Sequence, residues 1–394
     1  MYDVSFRHEN DTLVISLSGN IDSGNAPDIE RDIKKAKDES PVSAIVIDCD
    51  GLKYSTSAGL RIMLRLKQQI DDTRIINAHS EVYEVLDMTG FTELMKVEKA
   101  YRVLSVEGCE VIGQGANGKV YRIDRDTIVK VYMNPDALPE IHRERELART
   151  AFVAGVPTAI PYDVVRIAGG GYGSVFELLN ARSFASLLTG GEKTVDEMAE
   201  MSIKLLRIIH SRLVKPDTMP DMKMTALGWA DFLQNYLPVP AYEKLHALIK
   251  AVPDDMHMMH GDYHIKNVML QGDEVLLIDM DTLCHGHPIF ELASMYNAYC
   301  GYYVTSPDKV DDFLGIDRET ADRFWRKSLE LYLGTTDEKT ILEVENKAKV
   351  IGHARIMRRA IRRKGFDTPE GRAVIDKSRE ILLDLLPRTN SLLF

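Results

Sequence analysis

His260-Gly261-Asp262-Tyr263-His264-Ile265-Lys266-Asn267 is the stretch on which the reading of the whole chain turns. Apolar runs flank it at 256–259 and 268–270, the pattern of a short loop that leaves a core and re-enters it. Within it Asp262 and Asn267 stand five residues apart, and His260 precedes the Asp by two. Phosphoryl transfer needs a loop of this kind, with an Asp to accept or orient the incoming hydroxyl and an Asn to hold a magnesium ion on the phosphates. The same chemistry asks for a second Asp on the following strand. Asp279 occupies that place, in Leu276-Leu277-Ile278-Asp279-Met280-Asp281. Taken alone His-Gly-Asp says little, because loops use Gly and Asp for turns.

The partners upstream decide it. Ile112-Gly113-Gln114-Gly115-Ala116-Asn117-Gly118-Lys119-Val120 is an unbroken G-x-G-x-x-G-x-V. A strand-like run at 128–132 follows, with Lys130 inside it, and Glu146 stands sixteen residues on, in the helical stretch 139–153. A G-x-G-x-x-G could also be a Rossmann turn, which opens directly into a helix. Here 119–123 continues as a strand, so the glycines bridge a hairpin whose backbone N–H groups face phosphates. Gly loop, strand Lys, helix Glu, Asp/Asn loop and strand-end Asp follow the order of a protein-kinase-like fold. In that arrangement Gly113, Gly115, Gly118 and Val120 cover the nucleotide and Lys130 holds its α/β-phosphates. Glu146 holds Lys130, with Glu144 as the competing choice. Residues 177–180 form the hinge, where backbone groups near Glu177 and Leu179 read adenine.

The 394 residues are 45% hydrophobic and 28% charged, the balance of an ordinary globular protein, and the net charge is −11. That charge argues against a nucleic-acid or anionic-membrane surface over the whole molecule. Four scattered cysteines form no metal or disulfide pattern and read as reduced thiols of a cytoplasmic chain. Cys284, His285 and His287 cluster in sequence, but His-Gly-His-Pro reads as the turn leaving Asp279 rather than as a zinc site. The N-terminus shows no signal-peptide pattern, and no apolar run approaches the roughly 18–20 residues a bilayer span needs.

Residues 1–104 read as a small α/β domain. Leu13, Ile15 and Leu17 alternate as in a strand, 26–38 is helical, and 44–47 is a short buried strand. A helix at 59–70, a strand at 74–76 and a helix at 81–88 complete a parallel crossover pattern. Residues 48–60 carry a resemblance to the anti-sigma-factor-antagonist (STAS) domain. Thr56-Ser57-Ala58-Gly59-Leu60 looks like that family's Asp-Ser-Ser-Gly-Leu turn at the start of the second helix. The family's phosphorylated Ser matches Ala58, and its leading Asp matches Thr56. The resemblance implies a regulatory, protein-binding module. Ser55, Thr56 and Ser57 either cap the helix or offer a phosphate site at a favourable dipole.

A short junction at 105–108 leads to a kinase-like N-lobe at 106–180 and a C-lobe at 181–394, with the catalytic loop within 258–281 and a helical tail at 306–394. Thr194-Val195-Asp196-Glu197 spells a capping box before an apolar stripe of core residues. His210 at the end of that helix reads as a packed ring or a dipole partner. Arg355, Arg358, Arg359 and Arg362 share one helical face, and Arg363 and Lys364 extend the basic run. They form either a solvated face or an anion or partner site beside the cleft.

Residues 106–394 resemble the aminoglycoside phosphotransferase and choline kinase family. The carriers are Gly113–Val120, Lys130, Glu146, the H-G-D-x-H-x-x-N form of 260–267, and Ile278-Asp279. Pro288-Ile289-Phe290-Glu291 resembles the family's next stretch, with Glu where Asp is common. The resemblance implies a two-lobed fold using ATP and Mg2+, with Asp262 as catalytic base and Asn267 and Asp279 as metal ligands. It leaves the phosphate acceptor open: antibiotic, choline, sugar or protein. Cationic aminoglycosides would want an acidic acceptor pocket, which the net charge permits without locating. The readings left standing are an ATP-dependent phosphotransferase with a regulatory domain and a non-catalytic nucleotide-sensing scaffold. In the first, Asp262 could also act on the 55–57 turn of the same protein, with transfer between the chains of a homodimer.

Overall fold

A computed structural model describes residues 2–115, 118–306 and 311–394, with Asp311 and Asp312 described by backbone alone. The tip of the Gly-rich loop, residues 116–117, and the first part of the tail, 307–310, lie outside the described residues. The chain divides into two compact units. One comprises Met1–Val106 with Val164–Gly170, and the other Glu107–Asp163 with Gly171–Phe394. Val164–Gly170, expected in the kinase-like N-lobe, therefore clusters with the first unit.

The first unit is a five-stranded sheet in chain order, β1 (Tyr2–Glu9), β2 (Thr12–Ile21), β3 (Ala44–Ser55), β4 (Asp72–Ala78) and β5 (Val97–Lys99). β1 and β2 form an antiparallel hairpin, and β2 through β5 run parallel. Parallel neighbours need crossovers. Three helices supply them, α1 (Ala26–Asp38), α2 (Ser57–Gln69) and α3 (Ser80–Met88). Leu13, Ile15, Ile45 and Ile47 are fully buried in the sheet and meet Ile29 and Ile33 of α1 and Ile62 and Met63 of α2. β3 runs eight residues beyond the expected 44–47, and α2 starts two residues before the expected 59 because Thr56 caps it by accepting the Ala58 N–H. Gly59 has no room for a side chain, since a Cβ would stand 2.3 Å from Ser55 Oγ. Val103–Leu104 (β6) pairs in parallel with Arg166–Ile167 within the same unit.

In the second unit β7 (Glu110–Gln114), β8 (Gly118–Arg122) and β9 (Thr127–Tyr132) form an antiparallel meander, and β11 (Tyr172–Glu177), which follows β10 (Pro161–Ile167), pairs with β9 on its other side. The hairpin continues as strand past Gly118, which is the feature that separates it from a Rossmann turn. α4 (Leu138–Val153) turns Ile141, Leu147, Ala148 and Ala151 inward.

The remainder is mainly helical around one large core, with α5 (Val195–His210), α6 (Met222–Leu233), α7 (Val239–Lys250), α8 (Ile289–Tyr296), α9 (Arg318–Leu333), α10 (Glu338–Arg362) and α11 (Pro369–Leu385), and the short paired strands Val268–Gln271 and Glu274–Leu277 lie between the 260–267 loop and Asp279. The capping box spelled by Thr194 and Glu197 closes at the start of α5. Gly352 lets α10 approach the π-helical turn after α8. A Cβ there would stand 2.5 Å from Asn297 Oδ1, and Asn297 Nδ2 donates to Gly352 O at 3.1 Å. That close approach places Arg355, almost one turn on, against the loop that carries Asp262. No helix among the described residues is long and apolar enough to cross a membrane.

Candidate active site

Lys130 sits mid-strand on β9, opposite Val120 of β8 and Ser174 of β11, so these side chains share one face of the sheet. Its ammonium donates to Glu144 Oε1 at 2.9 Å and to Asp279 Oδ1 at 2.8 Å. Burial works against the charge, but Asp279 and Glu144 more than reverse this and hold the Lys130 pKa well above its ordinary value. Glu144, at 4% exposure, also accepts the Tyr132 hydroxyl. Glu146, expected in this role from sequence, is exposed, and Glu144 makes the pair. The reason is helical phase. Glu144 lies three residues after Ile141 and four before Ala148 on the buried face, while Glu146 is about 200° away around the helix.

The hairpin glycines differ in what they do. A Cβ on Gly118 would stand 2.3 Å from Val131 O, so this position must be Gly to lie against β9. Gly115 faces open space, and its N–H closes the hairpin on Gly118 O at 2.9 Å. Gly113, opposite Val120, meets only that side chain, at 3.6 Å. At the far end of β11, Glu177 is exposed and Leu179 half-buried, while the Leu178 N–H between them goes to Asp126 O.

The loop of 260–267 is held from every side. Glu291 at the start of α8, fully buried, accepts the backbone N–H groups of His260 at 2.5 Å and Gly261 at 3.0 Å. Thr282 Oγ1 donates to His260 O at 2.8 Å, Tyr299 OH accepts the Ile265 N–H at 3.0 Å, and Tyr263 OH donates to Ser202 O at 2.7 Å. Arg355 Nη1 donates to Gly261 O at 3.0 Å and to Ser294 Oγ at 3.0 Å. Gly261 has φ +80°, and a Cβ there would lie 2.5 Å from Thr282 O, so no other residue fits. His210, read as a packed ring, shares a hydrogen bond with the Tyr332 hydroxyl at 2.7 Å, and its Nε2 lies 3.8 Å from Glu291 Oε2.

Asp262 projects from this frame with its side chain 42% exposed, and His264 Nε2 lies 3.5 Å from its Oδ2. Burial opposes the carboxylate. The His264 hydrogen bond and charge, with Arg355 and His260, outweigh it and bring the Asp262 pKa down to about 2. Asn267, buried at 7% exposure, donates its Nδ2 to Asp262 O at 3.0 Å, which ties the two ends of the loop together. Asp279 holds a left-handed backbone, φ 65°, costly for a non-glycine residue and of the kind that clusters at functional sites. Asp281, two residues past Asp279, carries no motif signal of its own. Burial first, and then Asp279, push its pKa up to about 6, with Lys130 opposing.

The structure thus brings Lys130, Asp279 and Glu144 together by direct contact and sets Asp262 and Asn267 on one braced loop. The donors suit a hard cation: one carboxylate and one amide oxygen, with phosphate and water to complete the shell. Loops and sheet together define a kinase-like phosphotransferase fold. Residues 108–311 match the phosphotransferase enzyme family (APH), and residues 3–103 match the STAS domain. The chain belongs to the phosphotransferase enzyme family and carries a STAS domain ahead of the region that matches it.

Three solved structures illustrate the likeness. A choline/ethanolamine kinase family protein from Mesorhizobium loti is 16% identical, with 72% of this chain and 89% of that one covered and a TM-score of 0.46. The gentamicin complex of APH(2")-IIa is 16% identical over 78% and 96% of the two chains, with a TM-score of 0.47. The ADP-bound aminoglycoside phosphotransferase APH(2'')-Ib is 16% identical over 80% and 99%, also with a TM-score of 0.47. A search of curated proteins returns no match.

In the STAS domain the three candidate hydroxyls are not equivalent. Ser55 is buried, Thr56 is half-buried and spent on capping, and Ser57 is exposed at the first turn of α2.

Proposed function

We propose that the protein transfers the γ-phosphoryl group of ATP to a hydroxyl of a small molecule or protein, with Mg2+ as cofactor and the STAS domain as regulator. The observation that carries this is the Lys130–Asp279 contact at 2.8 Å, with Glu144 behind it. It joins the phosphate-binding strand to the strand-end carboxylate, beside a loop built around Asp262. Lys130, buttressed by Glu144, binds the nucleotide phosphates. Val120 and the hinge around Glu177 and Leu179 enclose adenine, and Gly113, Gly115 and Gly118 bring backbone close to the phosphates. Asn267 and Asp279 hold Mg2+, which when bound neutralises charge on the phosphates.

Asp262 orients the acceptor hydroxyl and takes its proton. A pKa near 2 makes it a weak base. That suits a loose transition state, in which the proton leaves late and positioning does most of the work. His264 fixes which way the carboxylate points. The STAS domain supplies a surface for a protein partner.

The test is Asp262→Asn. Transfer to any acceptor is expected to fall roughly 10²–10⁴-fold, the usual loss for a removed acid–base group, with ATP affinity nearly unchanged. Near-normal turnover by the variant would refute the assignment. Nucleotide binding by the wild type with no transfer to any hydroxyl, water included, would favour a nucleotide-sensing scaffold.

A further inference from the structure

The basic face of α10 starts at the catalytic loop. Arg355 Nη1 bonds Gly261 O, next to Asp262, and Arg358, Arg359 and Arg362 repeat along the same face toward the helix end. At about 1.5 Å rise per residue, Arg362 lies about 10 Å along the axis from Arg355. Three of the four guanidinium groups rest over aromatic rings. Arg355 lies 5.6 Å from the Trp229 centroid, Arg358 5.8 Å from Phe232, and Arg359 5.8 Å from Tyr302. Stacking of this kind orients a guanidinium while leaving its edge donors available.

What these arginines do not touch matters as much. Their hydrogen bonds run to uncharged groups: Gly261 O and Ser294 Oγ for Arg355, and the Tyr302 hydroxyl for Arg359. Among the described residues, no carboxylate pairs with any of the four, although the chain carries 60 acidic residues against 49 basic ones. Arg358 Nε is buried with no hydrogen-bond partner among the described residues. Burial first, and then Arg362 and Arg355, push the Arg358 guanidinium pKa down. A solvated face in an acidic protein would be laced with carboxylates. This one is left unbalanced beside a nucleophile-positioning Asp.

Resting on the phosphotransferase reading, we propose that the acceptor is a small anionic hydroxyl compound, bearing phosphate or carboxylate, whose charged group binds the Arg355–Arg362 face while its hydroxyl reaches Asp262. The hydroxyl oxygen forms the new P–O bond to the γ-phosphorus. The bond from that phosphorus to the bridging oxygen of ADP breaks, the hydroxyl proton passes to Asp262, and ADP leaves. Polycationic acceptors are repelled by the same face.

The test uses the full chain saturated with MgADP, so that the nucleotide site is filled. Inorganic pyrophosphate and citrate, as phosphate and carboxylate probes, and spermine, as a polycation, are titrated by calorimetry. At least one anion is expected to bind and spermine not to. In the Arg359→Glu/Arg362→Glu variant anion affinity should fall at least roughly tenfold, each tenfold being 1.4 kcal/mol. A Lys34→Glu/Lys35→Glu variant, carrying the same charge change on exposed positions of α1 in the STAS domain, should bind the anion as the wild type does. Preference between pyrophosphate and citrate separates the two acceptor types. Absence of anion binding, equal loss in both variants, or binding of spermine in place of the anions overturns the proposal while leaving the phosphotransferase reading intact. Failure of the wild type to bind MgADP at all would overturn both.

Discussion

Replacing Glu144 by Gln keeps the shape of the side chain and removes its charge, leaving Lys130 at 16% side-chain exposure with only Asp279 opposite. Removing one partner of a buried ion pair costs about 3–5 kcal/mol because the remaining charge is stranded. Lys130 keeps Asp279 at 2.8 Å, so its charge is only partly stranded and the loss falls below that range, at about 2–3 kcal/mol. For a unit of this size that lowers Tm by about 2 °C per kcal/mol, or about 4–6 °C in all. The affected transition is the one MgATP shifts upward, since ligand binding stabilises only the unit that binds it. Activity should suffer more than stability. The ammonium loses its anchor to α4, and about 1 Å of misplacement costs on the order of 10²-fold in kcat/KM for ATP. Glu146→Gln, two residues away and exposed, should stay within about 0.5 kcal/mol and keep its activity. Parallel scans of both variants with and without MgATP decide the matter. A Glu146 variant as impaired as the Glu144 variant would refute the assignment of Glu144, and with it the reading of Lys130 as a phosphate-binding lysine set by α4.

Asp279→Asn is expected to weaken nucleotide binding in the presence of Mg2+ by at least roughly tenfold while leaving metal-free binding nearly unchanged, measured by titration with and without chelator. Equal affinities in all four conditions would remove the metal role. His353, buried on α10 and hydrogen-bonded to Tyr296, has its pKa lowered from 6.5 to about 4, by burial first and then by Lys349 and Lys377. The unfolded chain takes up the proton at higher pH than the folded one, so stability is lost as pH falls from 6.5 toward 4, by on the order of 3 kcal/mol. His353→Gln should flatten that part of the Tm–pH curve, and an unchanged slope would contradict it. After incubation with MgATP, any phosphate on the 55–57 turn should sit on Ser57, the exposed hydroxyl, and intact-mass analysis of Ser57→Ala would show turn phosphorylation lost. Its persistence there would refute this.

The elements that carry the candidate residues were readable because each is local. The His260–Asn267 loop, the hairpin that continues as strand past Gly118, and the lysine inside β9 each declare themselves within a dozen residues. Helix boundaries in the STAS domain were readable to about two positions, the offset at α2 coming from the Thr56 cap. Which glutamate faces Lys130 was harder, because it depends on how α4 is rotated against β9. The phase was nevertheless in the sequence, since Ile141, Glu144, Ala148 and Ala151 keep helical spacing and Glu146 breaks it. The assignment of Val164–Gly170 to the first unit could not be read this way. It rests on pairing with Val103–Leu104, some sixty residues earlier, and no local pattern specifies such a partner.

The loop that carries Asp262 is braced by charged residues that no motif marks. Glu291, noted from sequence only as Glu where Asp is common, spends its carboxylate on the N–H groups of His260 and Gly261 and touches no reacting group. Arg355, read as part of a solvated or anion-binding face, holds Gly261 O on the other side. One carboxylate on the loop's N–H groups and one guanidinium on its carbonyl fix the Asp262 backbone from opposite ends. Groups set in place before the substrate arrives need no reorganisation at the moment of reaction. Glu291 and Arg355 are charged residues whose first partners are backbone atoms, so a search for charged side-chain pairs along the sequence passes over them. Arg355 holds the loop with one nitrogen while standing at the head of the basic face, so the loop proposed to position the acceptor hydroxyl and the surface proposed to read the acceptor's charge are joined through one residue.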